Sequence, residues 1–169
     1  MIVVVMGVSG CGKSSVGQAI AQRTGWSFIE GDDLHPEANR KKMASGTPLD
    51  DDDRWPWLDA IAETARDIET QGGSAVVACS ALKQVYRDRL ARGSSTVNFI
   101  HLNGDRQKIL ERMQARANHF MPPGLLDSQF ATLEPPSPGA RIHVFDISST
   151  VDDIANQSVA ALASSTGTQ

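Results

Sequence analysis

Aromatic residues are scarce, at 5% of 169 residues, and cysteine occurs only twice. So few aromatic rings leave little from which to build a pocket for a nucleobase acceptor. Two cysteines cannot form the disulfide framework of a small secreted domain. Cys11 and Cys79 read instead as small side chains fitted into tight places. Basic residues are the minority charge, 16 against 20 acidic ones, with a formal charge of −4 and a pI near 5.5. That balance argues against a nucleic-acid or anionic-membrane partner. Long apolar runs are missing as well. The first, Ile2 to Met6, has no positive segment before it and stops at Gly7. It is too short for a signal sequence or a membrane span, so a cytoplasmic protein is expected. No internal repeat is visible, and a chain of this length is expected to fold as one domain over 1–169.

What the chain does have is concentrated at its start. Gly7-Val8-Ser9-Gly10-Cys11-Gly12-Lys13-Ser14 follows an apolar strand pattern and precedes a helical one, filling every required position of Gly-x4-Gly-Lys-Ser. Gly7 and Gly12 allow positive φ and a close approach of backbone to phosphate oxygens. Successive N–H groups from Gly7 to Ser15, with the helix N-terminus behind them, face a phosphate chain. Lys13 reaches the β- and γ-phosphates, and the Ser14 hydroxyl is the expected Mg²⁺ ligand. The spacing predicts a site for a nucleoside triphosphate.

Strand and helix patterns alternate along the rest of the chain, the signature of a parallel sheet covered by helices. Strands are expected at 2–6, 26–29, 75–79, 97–102 and 142–147, and helices at 13–23, 36–44, 56–71, 84–91, 105–117 and 151–163. Gly72-Gly73 marks a helix stop, and the polar tail 164–169 is expected to fray. Two segments exceed a minimal scaffold. One is 31–57, dense in charge and expected to bind the acceptor. The other is 118–139, which holds five prolines and is expected to act as a lid.

The guanine-reading Asn-Lys-x-Asp of a switch GTPase is absent, and the third strand ends in Cys79-Ser80 rather than the Asp-Glu of a transport ATPase. Some other carboxylate must then help hold the metal or act on the acceptor. Asp32, just past the second strand, is the candidate, and it is placed to take a proton from a substrate hydroxyl. Asp33 reads as a capping residue. Arg112 and Arg116 are four apart on one helix face, a pairing suited to adenine stacking and to neutralising charge on the transferring phosphoryl group. A salt-bridged surface face with Glu111 would use the same spacing.

Several blocks together resemble one family. They are Gly31-Asp32-Asp33-Leu34-His35-Pro36 with Asn39, Lys42-Met43, Gly46 and Pro48-Leu49; Asp51 to Leu58; Cys79-Ser80-Ala81-Leu82-Lys83 with Tyr86-Arg87-Asp88; and Arg116, His119 to Pro122, Leu125-Leu126, Ser128-Gln129-Phe130 and Leu133-Glu134. In this order they resemble the gluconokinases of the shikimate-kinase-like branch of phosphate-loop kinases. The departures are small: Cys11 stands where Ser is common, and Trp55 where a polar residue is often found. The resemblance implies ATP-dependent phosphorylation of D-gluconate, a five-stranded sheet in the order 2-3-1-4-5 between helical layers, and a homodimer. It matches Asp32 and Arg54 to positions that contact the acceptor, and Ser80-Ala81 to the turn beneath it. A hydroxyl-rich carboxylate is held by polar and charged groups, and Asp32, His35, Arg54, Lys83 and Gln129 supply them. Arg54 is the expected carboxylate clamp, with an ion pair to the Asp50–Asp53 run as the alternative. His35 could equally cap a helix, and Trp55 and Trp57 read as packing. Adenine is expected beside Arg112 and the 139–142 turn, with Arg116 brought to the γ-phosphate by lid closure. A kinase for another hydroxy acid, such as shikimate, and a nucleotide-binding regulator remain as alternatives.

Overall fold

The computed structural model describes residues 1–94, 96–115 and 123–166. Five strands form one parallel sheet: β1 (Ile2–Met6), β2 (Ser27–Glu30), β3 (Ala75–Ala78), β4 (Val97–Asn103) and β5 (Ile142–Asp146), in the spatial order β2-β3-β1-β4-β5. β1 and β3 are buried at every position. That is why they read as continuous β-branched and small apolar runs rather than as alternating ones.

The helices are α1 (Lys13–Thr24), α2 (Glu37–Ala44), α3 (Asp51–Thr70), α4 (Gln84–Ala91), α5 (Arg106–Ala115), α6 (Pro123–Thr132) and α7 (Val151–Thr166). α1 packs against α7 over one face of the sheet, and α3 pairs with α4 over the other. None of the described helices is long and apolar enough to cross a membrane.

Because the strands are parallel, the loops leaving β2, β3 and β1 emerge along the same edge of the sheet, side by side. These are the 3-10 turn Gly31–Leu34, the turn at residues 79–83 and the glycine-rich loop 7–12. Three segments far apart in sequence thus meet in one crevice.

Two helix boundaries lie three or more residues from expectation, and one expected cap is absent. α3 begins at Asp51, five residues before the expected start at 56. Pro56 suggested a first helical position, but Asp50 and Asp53 form a reciprocal capping box and three aspartates fill the first turn. That cap and the favourable charge at the N-terminus carry the helix through Pro56. No aspartate side chain caps α2, whose N-cap is Pro36, and the His35 ring is engaged elsewhere. At the other end, α7 continues to Thr166 rather than ending at 163, and residues 167–169 of the expected tail lie outside the described residues.

Candidate active site

The glycine-rich loop has the backbone its sequence demands. Gly7 sits at φ 141° and Gly12 at φ 102°. A Cβ on Gly7 would lie 2.8 Å from the Cys11 sulfur and 2.9 Å from the Leu102 carbonyl oxygen, so the loop closes there only around hydrogen. A Cβ on Gly12 would meet nothing, and its positive φ alone selects glycine. The Gly7 N–H donates to the Ser80 carbonyl (3.2 Å), tying this loop to the turn after β3. Lys13 folds back to donate to the Val8 carbonyl at 3.1 Å. Val8 and Cys11 are buried, and burial pushes the Cys11 thiol above its ordinary range, while Cys79 is pushed up to about 12. Both thiols are packing groups, not thiolates.

Ser9, Gly10, Gly12, Lys13, Ser14 and Ser15 line one cavity, with Asp32 and Met113 as its further walls. A second cavity adjoins it and is walled by His35, Arg54, Trp57, Ser80, Ser128 and Gln129, with apolar contributions from Met43, Pro48, Leu49 and Leu125. Ser9, Lys13 and Asp32 belong to both. The shared wall therefore carries a backbone donor, an ammonium and a carboxylate.

Within the second cavity, the Arg54 guanidinium is held by the Leu49 carbonyl, at 3.2 Å from Nη2 and 3.4 Å from Nε, and it lies over the Tyr86 ring. Among the described residues no carboxylate pairs with it. The nearby acids are committed elsewhere: Asp53 to Lys42 (2.7 Å) and Asp51 to Lys83 (2.8 Å). Trp57 donates its indole N–H to the Gly31 carbonyl (2.7 Å) and stacks on His35 with ring centroids 4.0 Å apart. Gln129, on α6, accepts from the Ser9 N–H at 2.6 Å, so the described part of the 118–139 segment rests on the phosphate loop.

Two expected acceptor contacts fall elsewhere. Lys83 lies outside the cavity wall, bound to Asp51, which also accepts from the Tyr86 hydroxyl. Ala81 is fully buried at φ 44°; it shapes the turn while Ser80 faces the cavity. Arg112 donates to the Ile147 carbonyl, at the edge of the sheet beyond β4. Arg116 and His119 lie outside the described residues. Sequence reasoning missed Met113 and Ser128, and gave no part to Asn39, the one buried residue of α2. It also missed Arg87, which is 2% exposed and holds the strained turn by donating to the carbonyls of Ala81 and Leu82, both at 3.1 Å. Asn39 stands four residues after His35, but His35 precedes the N-cap of α2 in an extended conformation, so no shared helical face signalled the pair.

Residues 2–136 match the family model described as an AAA domain. The chain is 48% identical to the gluconokinase of Gluconobacter oxydans, over 79% of this chain and 75% of that one. It is 43% identical to the thermoresistant gluconokinase of Escherichia coli, over 90% and 88%. The crystal structure of a gluconokinase from Sinorhizobium meliloti superposes with a TM-score of 0.87 at 47% identity, covering 96% of this chain and 91% of that one. The chain belongs to the gluconokinase family. Its sheet order is the one expected of such a phosphate-loop kinase, and the specific blocks that carry the family likeness, 31–58 and 79–88, supply much of the second cavity's wall.

Proposed function

We propose that this gluconokinase-family chain transfers the γ-phosphoryl group of ATP to a hydroxyl of D-gluconate. The observation that supports this reading best is the pair of adjoining cavities that share Ser9, Lys13 and Asp32. The glycine-rich loop offers backbone N–H groups to the polyphosphate, and Lys13 leaves the Val8 carbonyl for the β- and γ-phosphates. Asp32 orients the acceptor hydroxyl and takes its proton, while Lys13 offsets charge on the phosphoryl group in flight. Arg54, pre-oriented by the Leu49 carbonyl, clamps the gluconate carboxylate, and Ser80 and Gln129 hold its hydroxyls. Arg112 borders the adenine. Arg116 is assigned to the γ-phosphate as a proposal from sequence.

The described residues contain no cluster of three metal-ligating side chains. Ser9, Ser14 and Ser15 line the phosphate cavity together with Asp32, and Ser14 is the one at the metal-ligand position of the Gly-x4-Gly-Lys-Ser motif. That set suits Mg²⁺, which keeps waters and phosphate oxygens and takes one or two protein ligands. Ser14 would hold it, with Asp32 acting through water, and when bound it neutralises phosphate charge. A cytoplasmic homodimer is the assembly proposed, and sedimentation tests it. The reaction itself is tested by ADP release with gluconate, shikimate and a panel of sugars. Gluconate-dependent release is the expected result. Release unchanged by any acceptor would leave a nucleotide-binding regulator as the better reading.

A further inference from the structure

A backbone carbonyl in the first turn of α3 sets the protonation pattern of a side chain two links away. The Asn39 amide nitrogen Nδ2 lies 2.8 Å from the Asp53 carbonyl oxygen. A carbonyl can only accept, so the amide must present its NH₂ there, which fixes which way round Asn39 sits. The second hydrogen of that NH₂ faces His35 Nδ1 at 3.3 Å. Nδ1 must then be the bare, accepting nitrogen, and the ring proton resides on Nε2. The ring plane is fixed independently by its stack on Trp57, whose own N–H is tied to the Gly31 carbonyl. Nε2 faces Asp32, 3.8 Å from Oδ1.

We propose that His35 is a positioning residue for Asp32: Asn39 locks it as the Nε2–H tautomer, and that N–H faces and orients the Asp32 carboxylate towards the acceptor hydroxyl. This rests on the reading of Asp32 as the group that receives the acceptor's proton. The ring is 6% exposed, and desolvation lowers its pKa to about 4 against the raising influence of Asp32, with Arg54 and Arg40 adding to the lowering. It is therefore neutral at physiological pH. A neutral donor suits the task, because a full positive charge beside Asp32 would make the carboxylate a poorer base. The Asp32 side chain is itself 75% exposed, and among the described residues no side chain hydrogen-bonds to it; the His35 N–H, 3.8 Å from Oδ1, must close by about 1 Å to donate.

The test has one arm independent of activity. Long-range ¹⁵N–¹H correlation spectra of the full-length protein at neutral pH should show the His35 ring protonated on Nε2 and bare on Nδ1. Asn39→Asp, which turns the donor into an acceptor, should move a proton onto Nδ1. In the kinetic arm, His35→Phe keeps an aromatic ring against Trp57 but has no N–H. It should lower kcat about 10- to 100-fold, the range typical of lost outer-shell orientation, with KM for gluconate changed less than about threefold. His35→Gln restores a donor near the Nε2 position and should recover most of that loss. A wild-type ring protonated on Nδ1 overturns the proposal, as does an unchanged kcat in His35→Phe or equal loss in the Phe and Gln variants. Asp32→Asn turning over at the wild-type rate overturns the role of Asp32 itself, a failure that the spectra distinguish because they report the tautomer without reference to turnover.

Discussion

Lys13 touches the rest of the protein through one hydrogen bond, to the Val8 carbonyl, so its removal should cost catalysis and little stability. Lys13→Ala should lower kcat/KM about 10³-fold or more, the scale of a lost charge on the transferring group, with the melting temperature within a few degrees of wild type; steady-state kinetics and calorimetry read the two together. Asp32 and Arg54 should fail differently. Asp32→Asn should depress kcat strongly while ATP still binds. Arg54→Ala should chiefly raise KM for gluconate, since a ground-state contact is lost. Arg54 is also buried and satisfies the Leu49 carbonyl, so some loss of stability will accompany it. At this scale the sequence was legible where chemistry is local: eight consecutive residues, Gly7 to Ser14, dictate the phosphate loop. It was not legible for Lys83, whose partner Asp51 is 32 positions away and on another helix. A lysine in the turn after a strand has the same appearance whether it meets a ligand or a neighbouring carboxylate.

α3 shows how two local rules compete within one element. Proline favours a first helical position, and four consecutive aspartates offer several registers for a cap. Tertiary context chose Asp50, with Asp53 returning the bond and also holding Lys42 of α2. β1 and β3 posed no such ambiguity, since in strands buried on both faces the apolar run and the strand nearly coincide. Asp50→Ala should therefore destabilise the fold by about 1 kcal/mol, read as a lower denaturant midpoint with kcat little changed, and amide exchange should accelerate first in residues 51–54. α6 lies in the segment expected to act as a lid; its Leu126 is fully buried and its Gln129 reaches the phosphate loop. Hydrogen exchange over 123–132, with and without an ATP analogue plus gluconate, should show added protection in the ternary complex. Equal protection in both states would make α6 a fixed wall.

For the molecule as a whole, buried histidines set the acid limit of stability. His35 and His101 are each held neutral, with desolvation as the main cause and pKa values lowered to about 4, and His143 is lowered by the same cause. The unfolded chain takes up protons on these rings near the ordinary value of about 6.5, where the folded one does not. Their neutral burial is thus fully tolerated above pH 6.5, and stability falls as pH drops from there towards 4, by up to about 1.4 kcal/mol per pH unit for His35 and for His101, with His143 adding in the same direction. Urea midpoints should decline steadily across that window. A midpoint independent of pH between 6.5 and 4.5 would show that the rings gain their protons in the folded state as readily as in the unfolded one. Topology was legible at this scale from the alternation of elements and the family likeness together; the crevice was legible only in part, because parallel strands bring residues 7–15, 31–57 and 79–83 to one edge whatever their separation in sequence.

The bond between Gln129 and Ser9 has a thermodynamic meaning. It joins a helix that walls the acceptor cavity to a loop that walls the phosphate cavity, so filling either changes the cost of filling the other. Such coupling is reciprocal by necessity. If gluconate tightens a non-hydrolysable ATP analogue by some factor, the analogue must tighten gluconate by the same factor, and calorimetric titrations in both orders should return one number. Gln129→Ala should bring that number towards unity while leaving the ATP analogue's binding to the otherwise empty enzyme within a few fold; gluconate alone should weaken as well, because Gln129 also walls its cavity. Half-loaded enzyme would then close as readily as fully loaded enzyme, and ATP would be lost to water instead of reaching gluconate.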